Sequence, residues 1–469
     1  MVTNLRLAWY SILALPMALA SMVYMPVSHG QTGVAVDEQD RYEQLQQSIA
    51  ALEDKLGYYE PALIEDLVSL AESAIELNLV SEAFSLLDRA IQLQRQNFGL
   101  DTSEQIPLYF DLIMLAANAG DWAEVNQSLG YVYWLVAEKQ IGSGDSRIEN
   151  LVRLSELHLL AVAGDDIQER ADHFREAEKL TALALQLSEE FWGWSDLRRL
   201  DLNYSLIKQL YLQTAALQQS GGETAYALRE VVPGVNIVDR EKIVKSRYHQ
   251  AGLWRFNEMQ KIAAQSSENP AELLAMIELY RADWQLLFDK EQAGNSYQQA
   301  FEALLEAHPQ ASDLNLLFSR PQTLPVPVFY DSVDRALAAA GFGSAAQQNL
   351  AAGDTEEQLH FQDWFNSMPY VPFPVTSPAL EQSLATDTTN TLLSFRLNSL
   401  ENVSRWVRGT YRTHTGVIET FDIVDGPGGA DIDLDYLNRR LHFLHFRPTL
   451  ENGVVRPYEG TLLYSVVMD

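Results

Sequence analysis

The chain has no cysteine at all. It therefore has no disulfides, no thiolate nucleophile, no cysteine metal site and no lipobox cysteine to acylate. Cations are also scarce, 33 Lys and Arg against 64 Asp and Glu, for a formal net charge of -31. Phosphate backbones are held by clustered Lys and Arg, so nucleic acid is excluded as a partner. Binding of anionic lipid headgroups by the folded body is disfavoured for the same reason. Charge of this size keeps an abundant exported protein soluble, and an acidic face that recruits a basic partner is the second reading. Catalytic signatures are missing too. There is no Gly-x-Ser-x-Gly elbow, no His-Glu-x-x-His pair, no Walker loop and no dinucleotide glycine loop. No enzyme activity, cofactor or small-molecule substrate is expected.

Long apolar runs are confined to the N-terminus. Arg6 gives a positive start, and Leu7 to Met25 carries no charge. Ala18-Leu19-Ala20 offers a cleavage site before Ser21, and Ser28-His29-Gly30 another before Gln31. Residues 1–30 read as a signal peptide. The run also approaches the ~20 residues that span a bilayer, so a retained N-terminal anchor is the alternative. Both readings export the rest of the chain, more than enough for two domains.

What is present is a repeating helical pattern. Gly57 recurs as Gly99, an offset of 42 residues. At that offset Leu67 maps onto Tyr109, Leu70 onto Leu112, Ala74 onto Ala116, Ala83 onto Val125, Leu87 onto Leu129 and Leu93 onto Leu135. Such a period marks stacked hairpins that bury their apolar faces on one another. Asp37 to Leu56, with Leu45, Ile49 and Leu52, is expected as a capping helix. Hairpins are expected over Glu60 to Asn97, with Ser81 as an N-cap, and over Glu104 to Lys139, turning at Ala119-Gly120-Asp121-Trp122. A third starts near Asp145, with Leu151, Leu154, Leu157 and Leu160 on one face and an insertion at Gly164 to Ala171. A helix over Leu197 to Gln219 follows. Gly221-Gly222 and Pro233-Gly234 break the run, and the sequence leaves open whether residues 220–265 are repeat or hinge. A last hairpin is expected over Pro270 to Asp289 and Glu291 to Ala307.

Ala83, Ala90, the Gly120-Asp121-Trp122 turn and Asn97-Phe98-Gly99 make residues 57–195 resemble the tetratricopeptide repeat (TPR) family, in its longer, kinesin-light-chain-like variety. Val125 departs from it, standing where an alanine belongs. The resemblance implies a helical-hairpin solenoid, and residues 37–308 are assigned to it.

Pro309, Pro321, Pro325 and Pro327 open a stretch, 309–391, that reads as a proline-containing linker with a short helix. After it the period changes. Leu393, Phe395 and Leu397 alternate with polar residues, as do Trp406, Ile418 and Phe421. A helix over Leu434 to Phe443 and a closing strand over Thr461 to Val467 complete the chain. Leu444-His445-Phe446-Arg447-Pro448, then Asn452-Gly453 and an apolar strand, make residues 392–469 resemble the C-terminal domain of the TonB energy-transducer family. That implies a small α+β domain. The long Pro/Lys/Glu-rich spacer of that family is missing, so only the fold is carried over. The expected fold class is thus mostly α, a TPR-like solenoid followed by a small α+β C-terminal domain.

No metal, cofactor-binding or catalytic residues are assigned. Asp425, Asp431, Asp433 and Asp435 surround Gly426-Pro427-Gly428-Gly429, but the position for a bidentate Glu is His442, so the loop reads as solvated. His442 and His445 lack a third ligand. His158 and His173 read as isolated. Glu189-Glu190 and Asp165-Asp166 read as solvated surface. Tyr131, Tyr133, Trp134, Phe191, Trp192 and Trp194 read as core between helices, with a groove lining as the alternative. The functional expectation is an exported periplasmic scaffold that binds a protein or peptide of the bacterial cell envelope. The alternative is a membrane-anchored accessory of TonB-type energy coupling to outer-membrane receptors.

Overall fold

The computed structural model describes residues 31–165, 169–219, 237–266, 269–288, 293–308, 310–339, 359–364, 388–397, 404–407, 410–413, 418–425, 441 and 444–467. The fold is mostly helical, built of consecutive packed helix pairs, with small strands toward the C-terminus. α1 (Gln31–Leu56) covers one end, burying Tyr42 and Ile49. Pairs follow as α2 (Leu63–Glu76) with α3 (Val80–Phe98), and α4 (Gln105–Asn118) with α5 (Trp122–Tyr133), which continues as a π-helical turn over Trp134–Glu138. α6 (Gly144–Gly164) pairs with α7 (Arg170–Phe191), α8 (Arg199–Gln219) with α9 (Ile237–Ala263), and α10 (Pro270–Leu287) with α11 (Ala293–Ala307).

The periodic positions are the core. Leu67, Tyr109, Leu70, Leu112, Ala74, Ala116, Ala83, Val125, Leu87, Leu129, Leu93 and Leu135 are all buried. Ala74 and Ala83 are fully enclosed, small enough to let α2 and α3 approach closely. The turns repeat as well. Asn78 and Gly120 take left-handed backbones (φ 59° and 71°), and the next residue donates back five positions, Leu79 N to Ala74 O at 2.8 Å and Asp121 N to Ala116 O at 2.9 Å. This closes each first helix in a Schellman turn. The N-cap position after it is Leu79 in one repeat and Asp121 in the next. Asp121 accepts from Glu124 N at 3.1 Å, whereas the expected cap Ser81 lies inside the first turn of α3. Gly57, Gly99, Gly142 and Gly193 end the second helices with φ from 89° to 108°, a region that side chains avoid.

Two apolar cores meet at α8. Leu202 and Leu206 belong to the first, which reaches back to α1. Leu200, Tyr204, Ile207 and Tyr211 belong to the second, with α9, α10 and α11. α8 packs on more than one side and mixes apolar with buried polar residues such as Asn203 and Gln209, so it has no clean stripe. The open question over residues 220–265 resolves in part. Residues 237–263 are one long helix, α9, packed on α8 and α10. The Gly221-Gly222, Pro233-Gly234 and Asp289-Lys290-Glu291 segments lie outside the described residues.

The stretch expected as a linker is, over 311–339, part of the second core. α12 (Ala311–Leu317), β1 (Gln322–Leu324) and α13 (Val333–Ala339) bury Leu314, Phe318, Leu324, Val326, Phe329, Val333 and Leu337. The prolines shape a packed, non-helical turn, with a cis bond at Leu324-Pro325, instead of an extended spacer.

The remaining strands are β2 (Leu359–Trp364), β3 (Thr388–Leu397), β4 (Ser404–Val407), β5 (Thr410–Thr413), β6 (Ile418–Asp425), β7 (His445–Arg447), β8 (Thr449–Glu451), β9 (Val454–Arg456) and β10 (Tyr458–Val467). One sheet has the order β2-β10-β3-β6, with only β2–β10 parallel. The closing strand is therefore internal, and β2, from the stretch expected as a linker, flanks it. β8 and β9 form a hairpin whose Asn452-Gly453 turn has φ of 52° and 81°, the pairing that a type I′ turn requires. Of the expected helix Leu434 to Phe443 only Leu441 is described, and it is helical.

Candidate functional site

The first helices of successive pairs carry a connected row of charge. Glu72 is on α2, Asp111 on α4, Arg153 and Glu156 on α6, and Asp201 and Lys208 on α8. The row ends against Asp331 and Arg335, just before and on α13. Arg153 and Glu156 pair at 3.6 Å. Asp111 meets solvent, yet burial pushes its carboxyl up to about 6; Glu72 adds to this and Arg153 opposes it. Asp201 behaves alike. Burial and then Asp331 raise it to about 6, against Lys208 and Arg335. Both side chains are exposed, beside Arg153 and beside Lys208 and Arg335 respectively. Among the described residues, neither Asp111 nor Asp201 has a hydrogen bond or ion pair. Burial also lowers Lys208 to about 8, opposed by Glu156 and Asp201, while its ammonium donates to Pro327 O.

Beside Lys208 is a gap of about 10 Å³, lined by Tyr204, Phe256, Tyr280, Asp283, Trp284 and Pro325 among others. Small-molecule sites run to roughly 300–1,000 Å³, so this is a packing gap between α8 and α10.

The six aromatics expected as core are half-buried or exposed. They gather cations at the seams between pairs. Arg95 lies over Tyr109 and Tyr131 at 5.6 and 5.1 Å, Lys139 over Trp134 at 4.8 Å, Lys179 over Tyr133 at 4.8 Å and Arg198 over Trp192 at 4.0 Å. They belong to α5, α7 and the turns after them, so they do not line the charged row on the first helices.

His158 and His173 are not isolated. Their Nδ1 atoms are 2.9 Å apart, and His173 Nε2 is 2.9 Å from Asp165 Oδ2, which also accepts from Asn126 Nδ2 at 2.9 Å. All three of His158, His173 and Asp165 are buried, so Asp165 is not surface as expected. Burial, then His173, lowers His158 to about 3, so it is neutral at physiological pH. One of the two Nδ1 atoms donates to the other. The insertion between α6 and α7 thus closes on an internal polar chain. Nothing in the sequence spacing signals it, since the two histidines come from different helices.

The Phe446-Arg447-Pro448 run sits against the helical array. β7 pairs with β1, with Arg447 opposite Gln322 and His445 opposite Leu324. Phe446 is fully enclosed, and Arg447 forms a bidentate pair with Asp283 of α10, Nε to Oδ1 at 2.9 Å and Nη2 to Oδ2 at 2.5 Å. Tyr297 of α11 donates to the same Oδ1 at 2.8 Å. His445 stands 3.5 Å from Tyr211 Oη, in a structural setting, and His442 and the acidic loop 426–440 lie outside the described residues.

No protein-family model matches the chain, and no curated protein matches it significantly. Among the described residues, no helix is long and apolar enough to cross a membrane.

Proposed function

We propose that the protein is a non-catalytic scaffold of the cell envelope, exported to the periplasm, whose TPR-like helical array holds a peptide or protein segment. The observation that carries this reading is the charged row from Glu72 to Asp201, in which Asp111 on α4 and Asp201 on α8 have no hydrogen bond or ion pair among the described residues. A carboxylate without a hydrogen bond or ion pair is stabilised by an incoming cation. The row is net acidic, so the segment it takes is basic, with Lys or Arg spaced to reach Asp111 and Asp201.

Site-specific photo-crosslinking in the native cell tests this. A crosslinker at Met114, beside Asp111 on α4, is expected to trap a discrete partner. Asp111→Asn with Asp201→Asn is expected to weaken that crosslink at least tenfold while leaving the fold intact. An unchanged crosslink in the double variant refutes the assigned face.

The N-terminus of the native protein decides how the scaffold is held. A start at Ser21 or Gln31 means a free periplasmic protein, and a start at Met1 means a tethered one. The energy-coupling alternative requires the tether. Burial of Phe446 and Arg447 against the helices weighs against it, because that run is not presented to an outside partner.

A further inference from the structure

The segment 308–334 brings together a histidine and two aspartates from three separate elements. His308 follows α11, Asp313 is on α12, and Asp334 is in the first turn of α13. One ligand atom from each lies within 4.8 Å of the others. His308 is buried, Asp313 half-buried and Asp334 open to solvent, so the cluster has a dry inner side and a wet outer one.

The imidazole is held from both sides. Its Nε2 is 3.3 Å from Asp313 Oδ2, and its Nδ1 is 3.4 Å from Glu272 Oε1 on α10. Glu272 is itself fixed: Oε1 accepts from Val333 N at 2.9 Å and Oε2 from Asn269 Nδ2 at 2.6 Å. The two contacts of His308 differ in meaning. A charge-assisted bond from imidazolium to carboxylate closes to about 2.7–2.9 Å. Four ligands at zinc distances stand about 3.3 Å apart along a tetrahedral edge. The Nε2 to Asp313 contact is a long hydrogen bond whose spacing also suits two ligands sharing a metal. Glu272, on the opposite ring nitrogen, is placed as the carboxylate that orients a metal-bound histidine and fixes its tautomer.

We propose that His308, Asp313 and Asp334 form a site for a divalent metal ion of the zinc class, with Glu272 as the positioning residue. Nitrogen with carboxylate oxygen is a donor set for zinc and its first-row neighbours. Magnesium and calcium favour all-oxygen shells. The ion takes His308 Nε2 and one oxygen from each aspartate, and water fills the exposed position. Its role is to cross-link the end of the last helix pair to the two short helices that follow.

The test is zinc binding by the full exported chain after treatment with a chelator. A chromophoric chelator competes for Zn²⁺, and millimolar Mg²⁺ is present to occupy ordinary acidic surface. One zinc per chain is expected. Asp313→Asn and Asp334→Asn are each expected to weaken it at least tenfold, and the double variant to abolish it. Both side chains reach solvent, and a melting curve of each metal-free variant checks that the fold is kept. Glu272→Gln is expected to weaken binding about 10–100-fold at unchanged stoichiometry. Zinc is also expected to raise the melting temperature of the parent and not of the double variant. Absence of stoichiometric binding in excess Mg²⁺ overturns the proposal. So does binding that survives the double substitution, because His158 and His173 or surface carboxylates would then be the ligands.

Discussion

Replacing Arg447 with methionine isolates the contact that fastens the C-terminal segment to the helical array. Both members of the Arg447–Asp283 pair are buried. Burial pulls the Arg447 pKa down and Asp283 more than restores it, so the guanidinium stays charged. Removing one partner of a buried pair costs about 3–5 kcal/mol, mostly because the other charge is left uncompensated. Asp283 keeps the Tyr297 hydrogen bond in Arg447→Met, which places this variant at the lower end, about 3 kcal/mol. Asp283→Asn leaves a guanidinium above the Tyr280 ring, 5.4 Å away, with no anion, and belongs at the upper end. The double variant Arg447→Met with Asp283→Leu leaves no orphan charge. It should lose clearly less than the sum of the single changes, with a coupling of at least about 1 kcal/mol.

The assay is urea unfolding of each corner of the cycle, joined to hydrogen exchange of residues 444–456. Exchange is needed because an array with two cores does not unfold in one step, and local opening has its own free energy. The single variants should raise exchange across β7 to β9 before they alter α2 to α5. A change within about 0.5 kcal/mol for Arg447→Met, together with unchanged protection of 444–456, would refute the idea that this pair anchors the segment.

Three further outcomes follow from the packing. A Cβ on Gly252 would lie 2.2 Å from the Trp284 ring, so Gly252→Ala should destabilise by about 1–3 kcal/mol despite alanine's better helix propensity; a melting temperature equal to the parent's would contradict the α9–α10 contact. Gly99 and Gly130 should respond in opposite directions in the same melt. Gly99 (φ 108°) should lose about 1–3 kcal/mol on change to alanine. Gly130, inside α5 with open space at its Cβ, should gain about 0.5–1 kcal/mol. His158 has its folded pKa depressed to about 3, so its contribution is complete above the unfolded value near 6.5 and is lost as pH falls toward 3. Denaturant titrations at pH 7.5 and 5 should show a fall that His158→Gln reduces, and an identical fall in both proteins would contradict a neutral buried His158.

The repeat was legible because its signal is local. Apolar residues at helical spacing and glycine at the hairpin ends are written within each 42-residue unit, and the buried set matches them position by position. Ser81 misled because N-cap preference is weak beside the repeat register, which puts Leu79 opposite Asp121. Residues 311–339 misled because prolines mark a break in helix, which a packed turn and a linker share. α9 was hidden for the opposite reason. It runs between masking glycine and proline signals, and its packing partner α8 has no stripe to announce a second core. The charged row, the His158–His173–Asp165 chain and the His308 cluster could not be read at all. Each joins residues from different elements, and without a motif the spacing of those residues does not announce the contact.

The same packing constrains how the two ends of the molecule communicate. β8 is tied to the array by Leu450 N to Phe318 O at 3.1 Å, and β9 is its hairpin partner. Only Pro457 separates β9 from β10, the internal strand of the four-stranded sheet. A proline with fixed φ makes that joint short and stiff. The sheet therefore does not hang on a spacer, because its internal strand continues from a hairpin bolted to α12, next to the Arg447–Asp283 pair. α10 carries Asp283 near one end and Glu272 at the other, and α8 packs on it with Tyr204 against Tyr280, 5.0 Å between ring centres. Contacts run from β7 through Arg447 to α10 and on to α8, which bears Asp201 and Lys208. On the proposed function, loosening that joint should change how firmly the charged row holds a segment. Arg447→Met is thus expected to lower the Met114 crosslink as well as stability, and an undiminished crosslink in a variant that exchanges freely over 444–456 would show that the two ends act independently.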